Sequence, residues 1–569
     1  MPIPTSERPF DQLATQLAAD HFEGSPTHAS DLGLTEYDHL LPDMSAAAIR
    51  ARDQREDEWT RRLHDLPSGD LSDAEALDRD LVLMVLRGKS LMRDWADWRR
   101  SPDHYAGPAL TGVFGLLMHR LRPQPELAQA VAARLSATPD LLQAGIDNLD
   151  PELAHPAILR RGLGMVRAGI GYARSVSAEF DEAGGRAEVA AAGEVAAQAY
   201  ERFAEHVASL AETAHGEWAI GEARYDALLR EAEGLGYGTR ELRERGQAAY
   251  DELAADMSAR ARKLRGHDDW LGILKEFNED RPETPAEMLA LYREATAAAR
   301  AFCVEHELVT MPDGEECAVV PSAPFSRSVV AVAHYMQPPP FAPPGSEHAD
   351  RGHFFVPYPP DGATPEEVAA RLATNNKHGL WSIAVHEAYP GHHWHFAWLA
   401  ANSRASHPRL SNSRLTNDNQ SSAGGRPLRS IFGSTYFVEG WGLYTEDLLN
   451  EQGFFATPEQ ELCQRDFRAF RAARIIVDTS LHLGEMSVDQ AVDFMSSKTS
   501  LSRETAQAEV LRYCAWPTQA SSYLTGALEI ARLRQRWLNE ARGSLRDFHD
   551  RAAGSGRLPV SLVERALFG

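Results

Sequence analysis

The helical character of the chain is clearest in LSDAEALDRDLVLMVLRGKSLMRDWADW, residues 71–98. Ser72 can cap the start of a helix, and Glu75 three residues later completes a capping box. The next apolar residues recur at three- and four-residue helical spacing and share one face: Leu77, Leu81, Met84 and Leu91. We therefore predict an amphipathic helix over residues 71–98.

Similar patterns extend over most of the chain. Residues 156–235, 239–266 and 364–376 have the same texture, which continues to the C-terminus apart from the polar stretch 401–427. We predict a mostly α protein in which 401–427 forms a surface loop.

A short part of the chain has a different texture. Short β-branched runs at Val319–Val320 and Val329–Val332, and HFFVPYPP at 353–360, surround the Pro-rich stretch 337–352. These predict a small sheet of two to four strands, and the strand beginning HFFV is a candidate edge for pairing with an extended peptide. We expect an N-terminal helical region (1–300), a β insertion with a Pro-rich loop (301–360) and a helical catalytic region (361–569). We expect the three to form one continuous unit around a cleft.

Composition narrows the partners and the location. The chain has 569 residues and a net charge of −24. A surface this acidic repels phosphate groups, so we expect neither nucleic acid nor a membrane as a partner. The first residues lack the basic start and apolar stretch of a secretory signal, so we expect a cytoplasmic location. The cysteines form no CxxC pair and no disulfide framework: Cys303, Cys317, Cys463 and Cys514.

One histidine cluster contains residue types that could bind a metal ion and catalyse hydrolysis: AVHEAYPGHHWHF at residues 384–396. It contains His386, Glu387, His392, His393 and His395. Zinc peptidases commonly use HExxH on a helix, where two histidines bind one ion and the glutamate acts as base. Here the second histidine follows at i+6 or i+7, which a continuous helix would not bring to the same ion.

Two residues between the histidines could interrupt the helix and so bring both histidines to one ion. Pro390 cannot donate to the preceding helical turn, and Gly391 tolerates unusual backbone angles. A widened turn that absorbs two residues would return His392 to the metal, and one that absorbs three would return His393. We favour His392. The alternative is a histidine-rich helix end whose rings only meet backbone carbonyls.

A third ligand is expected from FVEGWGLYTEDLL, residues 437–449. Glu439 and Glu446 are seven residues apart, so they share nearly one helical face among apolar neighbours. We predict Glu439 as a metal ligand and Glu446 as an acceptor that orients a ligand histidine. The alternative is an ordinary, partly exposed acidic pair.

These motifs carry a family resemblance. HEAYPGHH and FVEGWGLYTE, with RAARIIVDTSLH (471–482) and QASSYLTG (519–526), resemble the bacterial family DUF885. The resemblance covers almost the whole chain. It implies a fold similar to the large multi-helix, oligopeptidase-like zinc peptidases of the gluzincin type, whose third ligand maps onto Glu439. The chain departs from the family pattern at Gly442, where alanine is typical, and at Trp394–His395, where Leu-Gln is common.

Further candidate residues lie in the two later motifs. By similarity to related helical peptidases, Tyr523 is a candidate donor to a developing oxyanion, and a core tyrosine is the alternative. Arg474, Asp478 and His482 follow at i, i+4 and i+8. Arg474 and Asp478 are either a plain helix ion pair or part of the site, where Arg474 would hold a substrate carboxylate and His482 would donate to the oxyanion.

Together these residues predict a zinc-dependent hydrolase that cleaves short peptides. One Zn²⁺ is expected on His386, His392 and Glu439, with Glu387 as the general base. Two alternatives remain open. One is a metallohydrolase of non-peptide amides or esters, and the other is a helical scaffold whose metal site is closed by a fourth protein ligand.

Overall fold

The structure is a computed structural model, and it describes residues 9–327, 330, 332–343, 346, 351–360, 362–406 and 427–569. The N-terminal helices are Pro9–Gly24 (α1), Pro26–Asp31 (α2), Ala46–His64 (α3), Asp73–Arg93 (α4), Asp103–His119 (α5), Gln124–Asn148 (α6), Pro156–Ser175 (α7) and Arg186–Thr213 (α8).

The remaining helices continue to the C-terminus. They are Glu222–Ala227 (α9), Thr239–Arg265 (α10), Trp270–Phe277 (α11), Pro285–Glu305 (α12), Pro365–Ala373 (α13), Leu380–Glu387 (α14), His392–Ser406 (α15), Pro427–Ile431 (α16), Thr435–Glu451 (α17), Pro458–His482 (α18), Val488–Lys498 (α19), Arg503–Ala515 (α20), Ser522–Asn539 (α21), Leu545–Gly554 (α22) and Val560–Phe568 (α23). The predicted mostly α fold is confirmed.

Helix α4 shows how local sequence sets an element. The Ser72 hydroxyl oxygen accepts from the backbone N–H of Glu75, and the Glu75 carboxylate accepts from the backbone N–H of Ser72. The predicted capping box is therefore present. Leu77 and Leu81 are buried. The helix ends at Arg93 rather than at residue 98, because the chain turns away and adopts a left-handed conformation at Ala96.

The small sheet has three strands in the described residues: Cys317–Pro321 (β1), His334–Met336 (β2) and Gly352–Val356 (β3). Strand β3 lies in the centre, parallel to β1 and antiparallel to β2. The expectation that HFFV offers a free edge is wrong, because β3 has a neighbour on each side. Strand β3 also ends at Val356, before the prolines of the predicted stretch 353–360.

Two further expectations need correction. Two of the four positions of the run 329–332 lie outside the described residues, and the strand of this region is β2, which begins at His334. The polar stretch 401–427 begins inside α15 and ends at the first residue of α16, so its ends are helical rather than loop. Its residues 407–426 lie outside the described residues.

The described chain divides into two compact units. One contains the residues up to Trp218 and those within 338–350 and 403–432. Within it, α6 and α7 both pack along α8. A Cβ at Gly145 of α6 would fall 2.9 Å from the Phe203 ring of α8, so glycine permits this close packing.

The second unit contains residues within 219–337, 351–402 and 433–569. Its helices pack as pairs, with α17 on α21, α10 on α18 and α12 on α14. The expected regions 1–300, 301–360 and 361–569 do not coincide with the units, because the second unit collects segments from all three. This unit contains every residue expected at the metal centre.

Candidate metal centre

The chain breaks its helix between the two candidate histidine ligands. Helix α14 ends at Glu387, Ala388 leaves the helical region (φ −114°, ψ −85°), and α15 begins at His392. Pro390 has no N–H to continue the ladder. A Cβ on Gly391 would fall 1.9 Å from the carbonyl oxygen of His386, so only glycine fits here. The expected widened turn is therefore a complete break between two helices.

Helix α17 holds this break in place. The indole Nε1 of Trp441 donates to the carbonyl oxygen of Pro390 over 2.9 Å, and both groups are buried. The Trp441 ring also stacks on Trp394 of α15, with centroids 5.6 Å apart. The acid-bearing helix thus fixes the path of the chain between the histidines.

Three side chains converge at this point. Nε2 of His386 lies 3.6 Å from Oε2 of Glu439, and Nε2 of His392 lies 3.7 Å from the same oxygen. One ligand atom from each residue lies within 4.8 Å of the other two. The Glu439 side chain keeps 23% of its surface exposed, so solvent reaches the cluster.

A second acid orients His386. Its Nδ1 pairs with Oε1 of Glu446 over 2.8 Å, and Ser382 donates to the other carboxylate oxygen over 2.5 Å. As the seven-residue spacing predicts, Glu439 and Glu446 contact one imidazole from the same helix. With Nδ1 engaged by Glu446, Nε2 is directed toward Glu439.

Electrostatics couple these groups. Burial lowers the pKa of His386, but the neighbouring carboxylates of Glu439 and Glu446 outweigh burial and raise the pKa to about 10. Burial raises the pKa of Glu439, but His386 and His392 hold it well below its usual range. In this structure, the cluster stabilises an anionic Glu439 carboxylate beside a cationic His386 imidazolium.

The neighbouring histidines face elsewhere. Nε2 of His393 pairs with Glu315 over 2.9 Å, and the Tyr389 hydroxyl donates to the same carboxylate. His395 is fully buried, and burial is the main cause that lowers its pKa to about 3. Among the described residues, therefore, the convergent group contains His392 and neither His393 nor His395.

Glu387 lies next to the first histidine and is half-buried. Nothing in the described part of the chain forms a hydrogen bond or ion pair with its carboxylate. The pKa of Tyr292 on α12 is raised mainly by burial and secondly by the charge of Glu387, which places the carboxylate near α12. The carboxylate is therefore free to act as an acceptor.

The C-terminal candidates divide into two groups. Tyr523 on α21 is half-buried. Burial is the largest cause that raises the pKa of Tyr523, and the nearby charge of Glu439 is the second, so its side chain lies near the cluster. Arg474 packs over the Tyr523 ring at 4.9 Å and pairs with Glu509 over 2.8 Å. The alternative that Arg474 pairs with Asp478 is wrong, because α20 provides Arg474 with a closer carboxylate.

Asp478 and His482 belong to a separate buried network. The Tyr225 hydroxyl donates to Asp478 over 2.7 Å, and Nε2 of His482 lies 3.0 Å from the carbonyl oxygen of Tyr513. Neither side chain has any exposed surface. Neither is part of the convergent group at His386.

Gly442, which stands where the resembled family typically has alanine, lies against the His386 ring. A Cβ at this position would lie 2.6 Å from the His386 ring. The glycine therefore lets α17 approach the face of a candidate ligand, which an alanine would obstruct unless the ring shifted.

The donor set fits a zinc ion. Two imidazoles and a carboxylate are typical zinc ligands, and the edge of a tetrahedron with such bond lengths is about 3.3 Å. The separations of 3.6 and 3.7 Å from Glu439 to the histidines are close to this value. In the described chain the group has three members, which leaves one tetrahedral position for a non-protein ligand.

Several supporting residues carry no sequence signal. Glu315 follows a turn in MPDGEEC, and Ser382 precedes the histidine motif by one helical turn. Glu509 lies 35 residues after the arginine that it binds. Only the three-dimensional packing brings these groups to their partners.

Comparison with known proteins places the fold. The chain superposes on a structure described as a "putative lipoprotein" of unknown function from Shewanella oneidensis, with a TM-score of 0.76 and 19% identity over 98% of this chain and 100% of that one. A structure described as a "putative lipoprotein" from Colwellia psychrerythraea has a TM-score of 0.78 and 18% identity over 98% of each chain. At such identities the likeness concerns the fold alone.

The remaining comparisons concern membranes, curated relatives and the family. No helix in the described residues is long and apolar enough to cross a membrane, and the expected cytoplasmic location stays a prediction. No curated protein matches the chain. Residues 26–567 match the family described as bacterial protein of unknown function (DUF885), and the chain therefore belongs to that family.

Proposed function

We propose that this protein is a zinc-dependent hydrolase that cleaves amide bonds of short peptides. One observation carries the proposal: His386, His392 and Glu439 converge within 4.8 Å, while the free carboxylate of Glu387 lies beside the first of them. Three protein ligands with one remaining position are typical of catalytic rather than structural zinc sites. The partial exposure of Glu439 leaves part of the cluster in contact with solvent.

The protein residues would have distinct roles in the reaction. Zn²⁺ held by the two histidines and Glu439 would supply Lewis acidity toward water and the substrate carbonyl. Glu387 would accept the proton of the attacking water and deliver it to the nitrogen of the leaving amine. Glu446 would hold His386 in the orientation that directs Nε2 to the ion.

Tyr523 is the proposed donor to the developing oxyanion. Its hydroxyl has no hydrogen-bond partner in the described chain, and its helix packs directly on α17. A donor aimed at developing charge stabilises the transition state more than the ground state. His482 is a weaker candidate, because it is fully buried and bonded to a backbone carbonyl.

The peptide substrate rests on the resemblance to helical gluzincins. In the resembled enzymes, a glutamate on a later helix follows the histidine pair, as Glu439 on α17 follows α14 and α15 here. Non-peptide amides or esters are the second candidate substrates, because the same ion and base would hydrolyse them. A closed scaffold would require a fourth protein ligand at the cluster.

The test combines metal analysis with substrate profiling. The wild-type protein is expected to hold one zinc and to hydrolyse members of a short-peptide library. Glu387→Gln is expected to keep the zinc and lose activity by about 10²- to 10⁴-fold, because it removes the proton acceptor but no ligand. Glu451→Gln, on the exposed end of α17, is the matched control and is expected to leave both properties unchanged.

Each of the other outcomes rejects a specific part of the proposed function. Full turnover by the Glu387→Gln variant would remove Glu387 from the mechanism. Zinc without peptide hydrolysis, but with ester or non-peptide amide hydrolysis, would establish the second candidate. Zinc without turnover of any substrate class would favour the scaffold.

A further inference from the structure

Helix α18 contains a row of arginines, and one of them differs from its neighbours. Arg465 pairs with Asp256, Arg468 with Asp447 and Arg474 with Glu509. Arg471 lies between them and forms no ion pair with a described carboxylate. Its one hydrogen bond runs from Nη1 to the carbonyl oxygen of Phe467 over 3.1 Å.

The Arg471 guanidinium is partly buried and incompletely bonded. Its Nε is buried and has no hydrogen-bond partner within the described residues. Asp466 interacts with Arg471 only at a distance longer than an ion pair, and its carboxylate instead accepts a hydrogen bond from Ser500 over 2.6 Å. A cation with a buried, unused donor is costly unless an anion joins it.

Aromatic rings surround this cation. The guanidinium carbon lies 5.7 Å from the Phe467 ring centroid, 5.4 Å from that of Phe470 and 5.8 Å from that of Tyr523. Rings at these distances favour the cation and restrict its orientation. They also exclude part of the water that would otherwise weaken an ion pair with a ligand.

The same ring connects Arg471 with the metal centre. Helices α17 and α21 touch where a Cβ on Gly440 would lie 2.5 Å from the backbone of Gly526. Glu439 immediately precedes the first glycine, and Tyr523 lies one turn before the second. Tyr523 therefore lies near both the charge of Glu439 and the Arg471 guanidinium.

We propose that Arg471 binds the terminal carboxylate of the substrate, so that the site selects short peptides with a free C-terminus. The inference rests on the proposed function and names its substrate class. A planar guanidinium fork matches the geometry of a carboxylate and binds it through two parallel hydrogen bonds. The sequence pointed to Arg474 for this task, but Glu509 already occupies Arg474, and Arg471 is the available arginine one turn earlier.

The direct test measures binding without turnover. Tetra-alanine and tetra-alanine amide are titrated calorimetrically into the Glu387→Gln variant, both with zinc and as the metal-free protein. The free acid is expected to bind at least about tenfold more tightly than the amide in both forms, because Arg471 and not the metal reads the carboxylate. Equal affinities, or a preference that disappears without zinc, would overturn the proposal.

Substitutions assign the preference to a residue. Adding Arg471→Gln to Glu387→Gln is expected to reduce the preference to less than about twofold, and Arg471→Lys to retain an intermediate value, because it keeps the charge but loses the fork. Arg503→Gln removes a charge from an arginine that is 65% exposed and is expected to retain the full preference. An unchanged preference in Arg471→Gln would overturn the assignment. If Arg471→Gln fails to fold, an unchanged preference in Arg471→Lys does the same.

The two hypotheses fail separately. A wild-type protein that cleaves free and amidated peptides equally well retains the proposed function and loses this inference. A protein that hydrolyses neither peptide, yet binds the free acid through Arg471, loses the proposed function and retains the carboxylate site.

Discussion

Two of the histidine–carboxylate clusters in the second unit differ in what their polar atoms face. At the candidate metal centre, the Nε2 atoms of His386 and His392 approach one oxygen of Glu439, whose side chain is 23% exposed. In the other cluster, Asp478 and His482 are 0% exposed and have protein hydrogen-bond partners. The first cluster can accept a ligand from solvent, and the second is part of the core.

The difference shows that residue type and spacing do not by themselves define a site. Asp478 and His482 are separated by four residues on a helix, which is a favourable spacing for shared chemistry. Their environment turns them inward, toward Tyr225 and a backbone carbonyl. Convergence on one point together with access from solvent distinguishes the candidate metal centre.

Alanine substitution of one histidine in each cluster tests this contrast most strongly. His392→Ala is expected to weaken zinc binding by more than about 100-fold, because it removes a direct ligand. His482→Ala is expected to leave zinc affinity unchanged and to lower the free energy of unfolding by about 2–4 kcal/mol, because it opens a cavity in the core. Competition with a chelator and urea denaturation measure the two effects. Equal loss of zinc in both variants would abolish the distinction.

A substitution at Glu446 tests whether its carboxylate orients His386 in the candidate metal centre. Glu446→Gln retains the shape of the side chain but removes the charge that holds Nδ1 of His386. Zinc affinity is expected to fall by about 10- to 100-fold, the usual effect of losing such a partner. Glu451→Gln on the same helix is the control. Unchanged affinity in Glu446→Gln would show that His386 needs no orienting acid.

The buried network makes a smaller, pH-dependent prediction. Burial is the main cause that raises the pKa of Asp478 from 3.8 to about 7, while bonds from Tyr225 and Ser521 oppose it. The folded protein therefore keeps this proton over a range where the unfolded chain has lost it. Stability from this group is present below about pH 4 and is lost as the pH rises toward 7.

Asp478→Asn removes that dependence. Its free energy of unfolding, relative to the wild type, is expected to rise by at least about 1 kcal/mol between pH 4 and pH 8. Urea denaturation across this range measures the difference. Asp493→Asn, at a carboxylate 65% exposed, is expected to show no such trend. A constant difference for Asp478→Asn would mean that this carboxyl does not titrate with folding.

Much of the fold follows from local sequence, and parts of the site do not. The capping box at Ser72 and the sheet strand at Val319–Val320 are local patterns, and both are confirmed. The strand HFFV was predictable, but its central place was not, because strand order depends on pairing with distant residues.

The metal centre shows the same limit. The spacing of Glu439 and Glu446 predicts a shared helical face, which the contacts of both with His386 reproduce. The choice between His392 and His393 depended on Glu315, a residue 78 positions from the histidine that it binds. Likewise, no pattern in α18 showed that Glu509 would engage Arg474 and leave Arg471 without a carboxylate.

Three side chains, His386 from α14, His392 from α15 and Glu439 from α17, are proposed to form one metal site. Elemental analysis of the wild-type protein after dialysis against metal-free buffer tests it most directly, with Glu439→Gln measured in parallel. We expect about one zinc per wild-type chain and a loss of most of it in the variant, because the carboxylate is one of the three proposed ligands among the described residues. A wild-type chain that binds no divalent metal when zinc is supplied, or a Glu439→Gln variant that retains it fully, would contradict the account.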